Sequence, residues 1–128
     1  MRKESIPLNQ LNLQPFTAFE PGGILLVVGS ETEEANVMTI GWGTFGIMWG
    51  KPVVMVMVRP TRHTWNLINK APDFTVNWLA DERRSALELC GTRSGRDLDK
   101  FAASGLHSVK ASAVASPMLQ ESVLTLEC

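Results

Sequence analysis

The sequence has little of what marks several large classes of protein. Only two cysteines, Cys90 and Cys128, occur in 128 residues, without the spacing of a disulfide framework or a zinc site, so neither staples nor a metal organise the chain. Charge of one sign is also missing: 12 basic side chains stand against 13 acidic ones, a formal net charge of -1, so no global field draws nucleic acid or an anionic membrane. Any anion site must be local. No run reaches the roughly 18 apolar residues of a membrane helix, and Glu4, Pro7 and Asn9 interrupt the basic N-terminus before a signal peptide could form. There is no phosphate loop, no dinucleotide fingerprint and no Ser or Cys elbow followed by a His and an acid. Demanding chemistry would have to come from a cofactor.

What is present is an ordinary globular makeup, 45% apolar and 20% charged, which suits one domain over residues 1–128 in a reducing, cytoplasmic setting. Residues 1–16 are polar and Pro-punctuated, a lead-in that pairs along an edge. Pro21-Gly22-Gly23 signals a turn, and Ile24–Val28 between glycines reads as a buried strand. Residues 31–34 form a charged turn.

The segment from Asn36 to Thr64 holds the most chemistry. Asn36–Thr44 alternates as a strand, with Val37 and Thr39 on one face and Met38, Ile40 and Trp42 on the other. Glycines at 41, 43, 46 and 50, interleaved with Trp42, Phe45 and Trp49, leave bare backbone for a flat ligand, or else mark bulges and corners of a barrel. Val53–Val58 is apolar at every position, as in a strand covered on both faces, with Met55 and Met57 as packing residues. The character then changes to Arg59-Pro60-Thr61-Arg62-His63-Thr64, and Trp65–Lys70 has helical spacing with Thr61 as N-cap. Arginines and hydroxyls at a helix start make a phosphate or carboxylate seat. The same residues also fit a capped helix flanked by two solvated arginines.

Asp73–Leu79 reads as a strand with Phe74, Val76 and Trp78 opposite Thr75, Asn77 and Leu79, so a buried Asn77 needs a partner. A helix follows, capped by Asp81 or Ser85, with an apolar stripe through Ala86, Leu87, Leu89 and Cys90, and with Gly91 as its C′ residue. Cys90 at the tail of a helix suits packing better than ligand contact, and ligand contact better than nucleophilic attack. Thr92–Phe101 is a polar loop feeding a short helix that Gly105 ends; its hydroxyls, glycine and Lys100 form a second lobe of an anion seat or an ordinary surface loop. His107, with no acid near it in the sequence, falls on the surface. Val123–Cys128 opens one more strand.

Four blocks in order, Asn36–Trp42, Val58–Thr64, Phe74–Asn77 and Cys90–Phe101, together resemble the flavin reductase-like, flavoredoxin-type family. The resemblance implies a mainly β fold with short α-helices, an FMN-binding split β-barrel, and a homodimer. It implies FMN as cofactor, electrons from NADH, NADPH or a redox protein, and hydride accepted by the flavin itself, with no catalytic side chain. Asn36, Met38, Thr39, Ile40 and Trp42 would line the ring; Arg59, Thr61, Arg62, His63 and Thr64 would hold the phosphate; Asn77, Cys90, Gly91, Ser94 and Lys100 would complete the pocket. Members of the family usually continue beyond the point where this sequence ends, so C-terminal strands are expected to be missing. Two functions follow: an FMN-dependent reductase or electron-transfer protein, or a non-catalytic flavin-binding or assembly module.

Overall fold

A computed structural model describes residues 3–20, 22–29 and 34–128. Its strands are β1 (Ile24–Val28), β2 (Asn36–Ile40), β3 (Gly43–Met48), β4 (Lys51–Val56), β5 (Thr75–Leu79), β6 (Ser108–Val109), β7 (Met118–Leu119) and β8 (Ser122–Glu127). Three short helices, α1 (His63–Ile68), α2 (Arg84–Thr92) and α3 (Lys100–Ser104), lie between them. The fold is mainly β. Pro21 of the expected first turn and residues 31–33 of the expected charged turn lie outside the described residues.

An antiparallel sheet in the order β2-β1-β5-β8 forms the frame. β1 runs through its middle and is buried at every position, which explains its uninterrupted apolar run. Leu25 and Val27 point to one face, where they meet Val37, Ala86, Leu87, Cys90, Leu106 and Leu119. Ile24, Leu26 and Val28 point to the other, against Phe19, Met38, Ile40 and Val76, with Leu67 and Ile68 of α1 packed on that cluster. Burying each such aliphatic side chain contributes about 1.5–3 kcal/mol, so the two-sided β1 is where the fold is anchored.

β2 is shorter than its alternation suggests. It leaves β1 at the Ile24–Ile40 pair, because β1 has no residues left to pair with, and Gly41 and Trp42 carry the chain into a separate hairpin of β3 and β4. Trp49 and Gly50, at φ 49° and 73°, make its two-residue loop, the conformation whose twist matches the flanking strands. The expectation of a second, fully covered core strand is corrected here. β4 is only half-buried at Val53, Val54 and Val56, while Met55 is 55% and Met57 62% exposed; among the described residues β4 pairs with β3 alone, so one face packs inward and the other does not. Gly43 is close to Phe19 and the Met55 carbonyl, but a Cβ at Gly41, Gly46 or Gly50 would meet nothing.

The lead-in does not pair as a strand among its described residues. Lys3 instead donates to the carbonyl and hydroxyl of Ser122 at 2.6 and 2.8 Å, and an apolar cleft of about 950 Å³ lies between this segment, the hairpin and β8. β8 forms as expected, and Phe74 and Cys128 extend its ladder with β5 by a reciprocal pair of backbone bonds. His107 is exposed, yet the expectation that no acid serves it is overturned: its ring Nδ1 lies 2.9 Å from Glu121 Oε1, brought there by the β7–β8 turn.

Candidate functional site

A cavity of about 230 Å³ opens where the start of α1, the first residue of β2 and the loop from Thr92 to Arg96 converge. Four cationic side chains line it, Arg62, Arg93, Arg96 and Lys100, together with His63 and the hydroxyl-bearing Thr61, Thr64, Thr92 and Ser94. Among the described residues no carboxylate lines it. Behind that lining, Glu34 Oε1 lies 3.6 Å from His63 Nε2. Such a lining attracts an anion with more than one negative charge.

The walls are fixed from three sides. The Asn36 amide donates to Thr64 Oγ1 at 2.8 Å, both residues being buried. The Thr92–Arg96 loop is held by Arg96, whose Nη1 donates to the Thr61 carbonyl at 3.1 Å and whose backbone N–H donates to Ser94 Oγ at 3.1 Å. Gly95 lets this loop lie against the strand: a Cβ there would sit 2.2 Å from Asn36 Oδ1 and 3.0 Å from His63 Cδ2. Neither ring nitrogen of His63, though buried, has a hydrogen-bond partner among the described residues.

Two cations are held by the end of α2. Lys100, 2% exposed, donates to the Cys90 carbonyl at 2.9 Å, and Arg62 reaches the Gly91 and Cys90 carbonyls at 3.3 and 3.5 Å. Burial first and the neighbouring Arg62 second, opposed by Cys90, lower the Lys100 pKa to about 8. The Cys90 thiol itself is pushed up by burial, the wrong direction for a nucleophile.

Residues 18–128 match the family described as flavin reductase like domain. The chain belongs to the flavin reductase-like domain family. No curated protein sequence matches it. Among solved structures it is similar to the flavoredoxin of Desulfovibrio vulgaris (Miyazaki F), at 24% identity and a TM-score of 0.74 over 81% of this chain and 56% of that one. It is similar to an FMN-binding protein from Thermus thermophilus, solved with bound 1-cyclohex-2-enone, at 26% identity and a TM-score of 0.71 over 99% and 67%. The flavoredoxin from Methanosarcina acetivorans gives 24% and 0.71 over 98% and 63%. This flavin reductase-like chain therefore spans 56% of the first of these structures, and the likeness establishes the split-barrel fold.

Within this flavin reductase-like domain the expected site residues divide into groups. Asn36, Thr61, Arg62, His63, Thr64, Ser94 and Lys100 meet around the cavity. Cys90 and Gly91 take part through their carbonyls. Met38 and Ile40 lie in the core below β2, and Thr39 spends its hydroxyl on the Leu87 carbonyl at 2.5 Å. Asn77 is fully buried within the sheet, donating to Thr75 Oγ1 and accepting from the Leu119 N–H and the Thr125 hydroxyl. Arg59 and Trp42 stand beyond the end of β2, the guanidinium 5.9 Å from the indole centroid, a distance at which cation and ring attract.

Two local expectations are corrected. Thr61 does not cap α1: the N-cap position is Arg62, without a side-chain cap bond, and Thr61 instead offers its carbonyl to Arg96. Gly91 is not a C′ residue, because α2 runs on to Thr92. Gly95 was expected in the second lobe, whereas Arg93 and Arg96, which also line the cavity, were not among the expected ligand-side residues. The signal that could have found them was the alternation of hydroxyl and basic residues around a glycine in Thr92–Arg96.

Proposed function

We propose that this chain binds FMN and works as a flavin reductase or flavoredoxin-type electron-transfer protein, fed by NADH, NADPH or a reduced protein partner, as a cytoplasmic homodimer. The observation that carries the reading is the cavity's lining of four cations without a carboxylate among the described residues, beside an imidazole whose buried nitrogens lack hydrogen-bond partners there. A phosphate monoester carries about −1.5 to −2 charge at neutral pH and three acceptor oxygens, and that lining suits it. Arg62, His63, Ser94 and Lys100 would hold the phosphate. Thr64, which accepts from Asn36, keeps its hydroxyl proton for a ligand oxygen.

The flavin, when bound, supplies the redox chemistry. The chain's own residues bind and orient it. β2 leads from Asn36 at the cavity to Ile40, and Trp42 follows just beyond it with Arg59 over the indole, so strand and pair together offer a line along which a ring can be placed.

A second reading, a non-catalytic flavin-binding or assembly module, is favoured by the exposure of Trp42 at 65% and Met57 at 62%, which leaves that end of the line without a wall among the described residues. Reconstitution with FMN and anaerobic titration with NADH or NADPH decide between them. Bleaching of the bound flavin supports the reductase. A stable yellow protein that neither nicotinamide nor a reduced partner bleaches supports the module. Absence of flavin uptake defeats both.

A further inference from the structure

Glycine inside a helix is less favourable than alanine, and Gly91 sits inside α2 with no positive φ to require it. Its reason is contact. A Cβ at position 91 would lie 3.2 Å from Thr39 Cβ and 3.5 Å from Thr39 Oγ1. One turn earlier, Thr39 Oγ1 donates to the Leu87 carbonyl at 2.5 Å. A missing side chain and a hydroxyl thus draw the last turn of α2 against the edge strand.

The carbonyls of a helix's last turn have no partner within the helix and carry its partial negative charge. In α2 two of them are used on the cations described above: Cys90 O accepts from Lys100 and Arg62, and Gly91 O from Arg62. They do the work that a carboxylate would do at lower charge, so the cavity stays attractive to an anion while its two inner cations stay in place.

We propose that Thr39 and Gly91 are positioning residues of the anion cavity, setting the place of Arg62 and Lys100 through the carbonyls of Cys90 and Gly91 and touching no ligand themselves. The inference rests on the reading of the cavity as a phosphate seat. Lys100 is faced by Arg62 from the start of α1 and by the Cys90 thiol from α2, while His63, Arg93 and Arg96 line the same cavity. Displacing α2 changes how closely the two inner cations lie, and with that the pH at which Lys100 loses its proton.

The test is Gly91→Ala, titrated with FMN, riboflavin and inorganic phosphate across pH 6–10. FMN and phosphate should weaken by about tenfold at pH 7 and riboflavin by less than about twofold, because only the charge-assisted contacts are moved. The falling limb of FMN affinity with pH should also leave its wild-type position. Equal losses for FMN and riboflavin, or an unmoved pH profile, overturn the proposal. Thr39→Val keeps the shape and removes the bond to Leu87; it should give the same pattern at about threefold, and settles the matter if Gly91→Ala does not fold. Wild-type protein that binds phosphate but no FMN defeats the flavin reading alone, and the phosphate arm then decides the positioning role. Wild-type protein that takes up neither overturns both.

Discussion

The amide of Asn36 donates to the hydroxyl of Thr64 across 2.8 Å, joining the first residue of β2 to the first turn of α1. Both side chains are buried, and Gly95 is pressed against the other end of the same amide. One short contact thus fixes strand, helix and loop at the mouth of the cavity. Asn36→Leu should lower the unfolding free energy by about 1–3 kcal/mol, since Thr64 would lose its buried donor. It should also weaken FMN, and chemical denaturation with a flavin titration on the same samples checks both.

Arg62 reaches the α2 carbonyls and the cavity from one position. Arg62→Ala should cost FMN about 1.5–3 kcal/mol more than riboflavin, because a charge-assisted bond to phosphate is available to only one of the two ligands. Fluorescence titration of both gives the difference directly; equal losses would place the phosphate elsewhere.

Lys100 makes binding and stability respond to pH in opposite senses. Its folded pKa, lowered to about 8 from 10.5 by burial and then by Arg62, means that between those values the unfolded chain holds more protons at this site than the folded one. The Lys100 contribution to stability therefore rises with pH across that window. An anion needs the ammonium form, so FMN affinity should fall as pH rises beyond about 8. Lys100→Met should flatten both dependences, as read by calorimetry and flavin titration in one buffer series.

Gly95→Ala places a Cβ 2.2 Å from Asn36 Oδ1, a distance at which backbone must move. The loop should lift from the strand and FMN affinity should fall by about tenfold or more, with a smaller effect on thermal unfolding because the loop is exposed at Arg93 and Arg96.

Asn77 tests the opposite case, a polar residue used by the sheet. Asn77→Leu would leave the Leu119 N–H and the Thr125 hydroxyl without their acceptor and should cost about 3 kcal/mol of stability. The fraction that folds should bind flavin with wild-type affinity. A selective loss of flavin at unchanged stability would show that Asn77 reaches the ligand.

Much of this molecule is legible in its sequence. The unbroken apolar run of β1 reflects burial on both faces, and the alternation Val37, Thr39 against Met38, Ile40 reports a strand between two packed layers, since side chains change face at every residue. The Arg59–Thr64 cluster marked a local gathering of cations and hydroxyls, and Thr61, Arg62, His63 and Thr64 do line the cavity. Gly105 marked the end of α3 correctly, and its φ of 72° is the left-handed position glycine tolerates.

Other features depend on distance in space. Nothing local to Val53–Val58 says which face has a partner, and β4 proved half-open because only β3 lies beside it among the described residues. Gly91 looked like a helix stop, yet a Cβ there would lie 3.2 Å from the Cβ of Thr39, fifty-two positions away in sequence. His107 and Glu121 likewise meet only through a turn between strands. The order of the four motif blocks pointed to the family, and each residue's own polarity and backbone preference marked the central strand and the basic, hydroxyl-bearing turn at Arg59–Thr64. Tertiary packing alone decided which carbonyls hold Arg62 and Lys100, and which expected residues face the cavity rather than the core, because those outcomes depend on how close two separate elements can come.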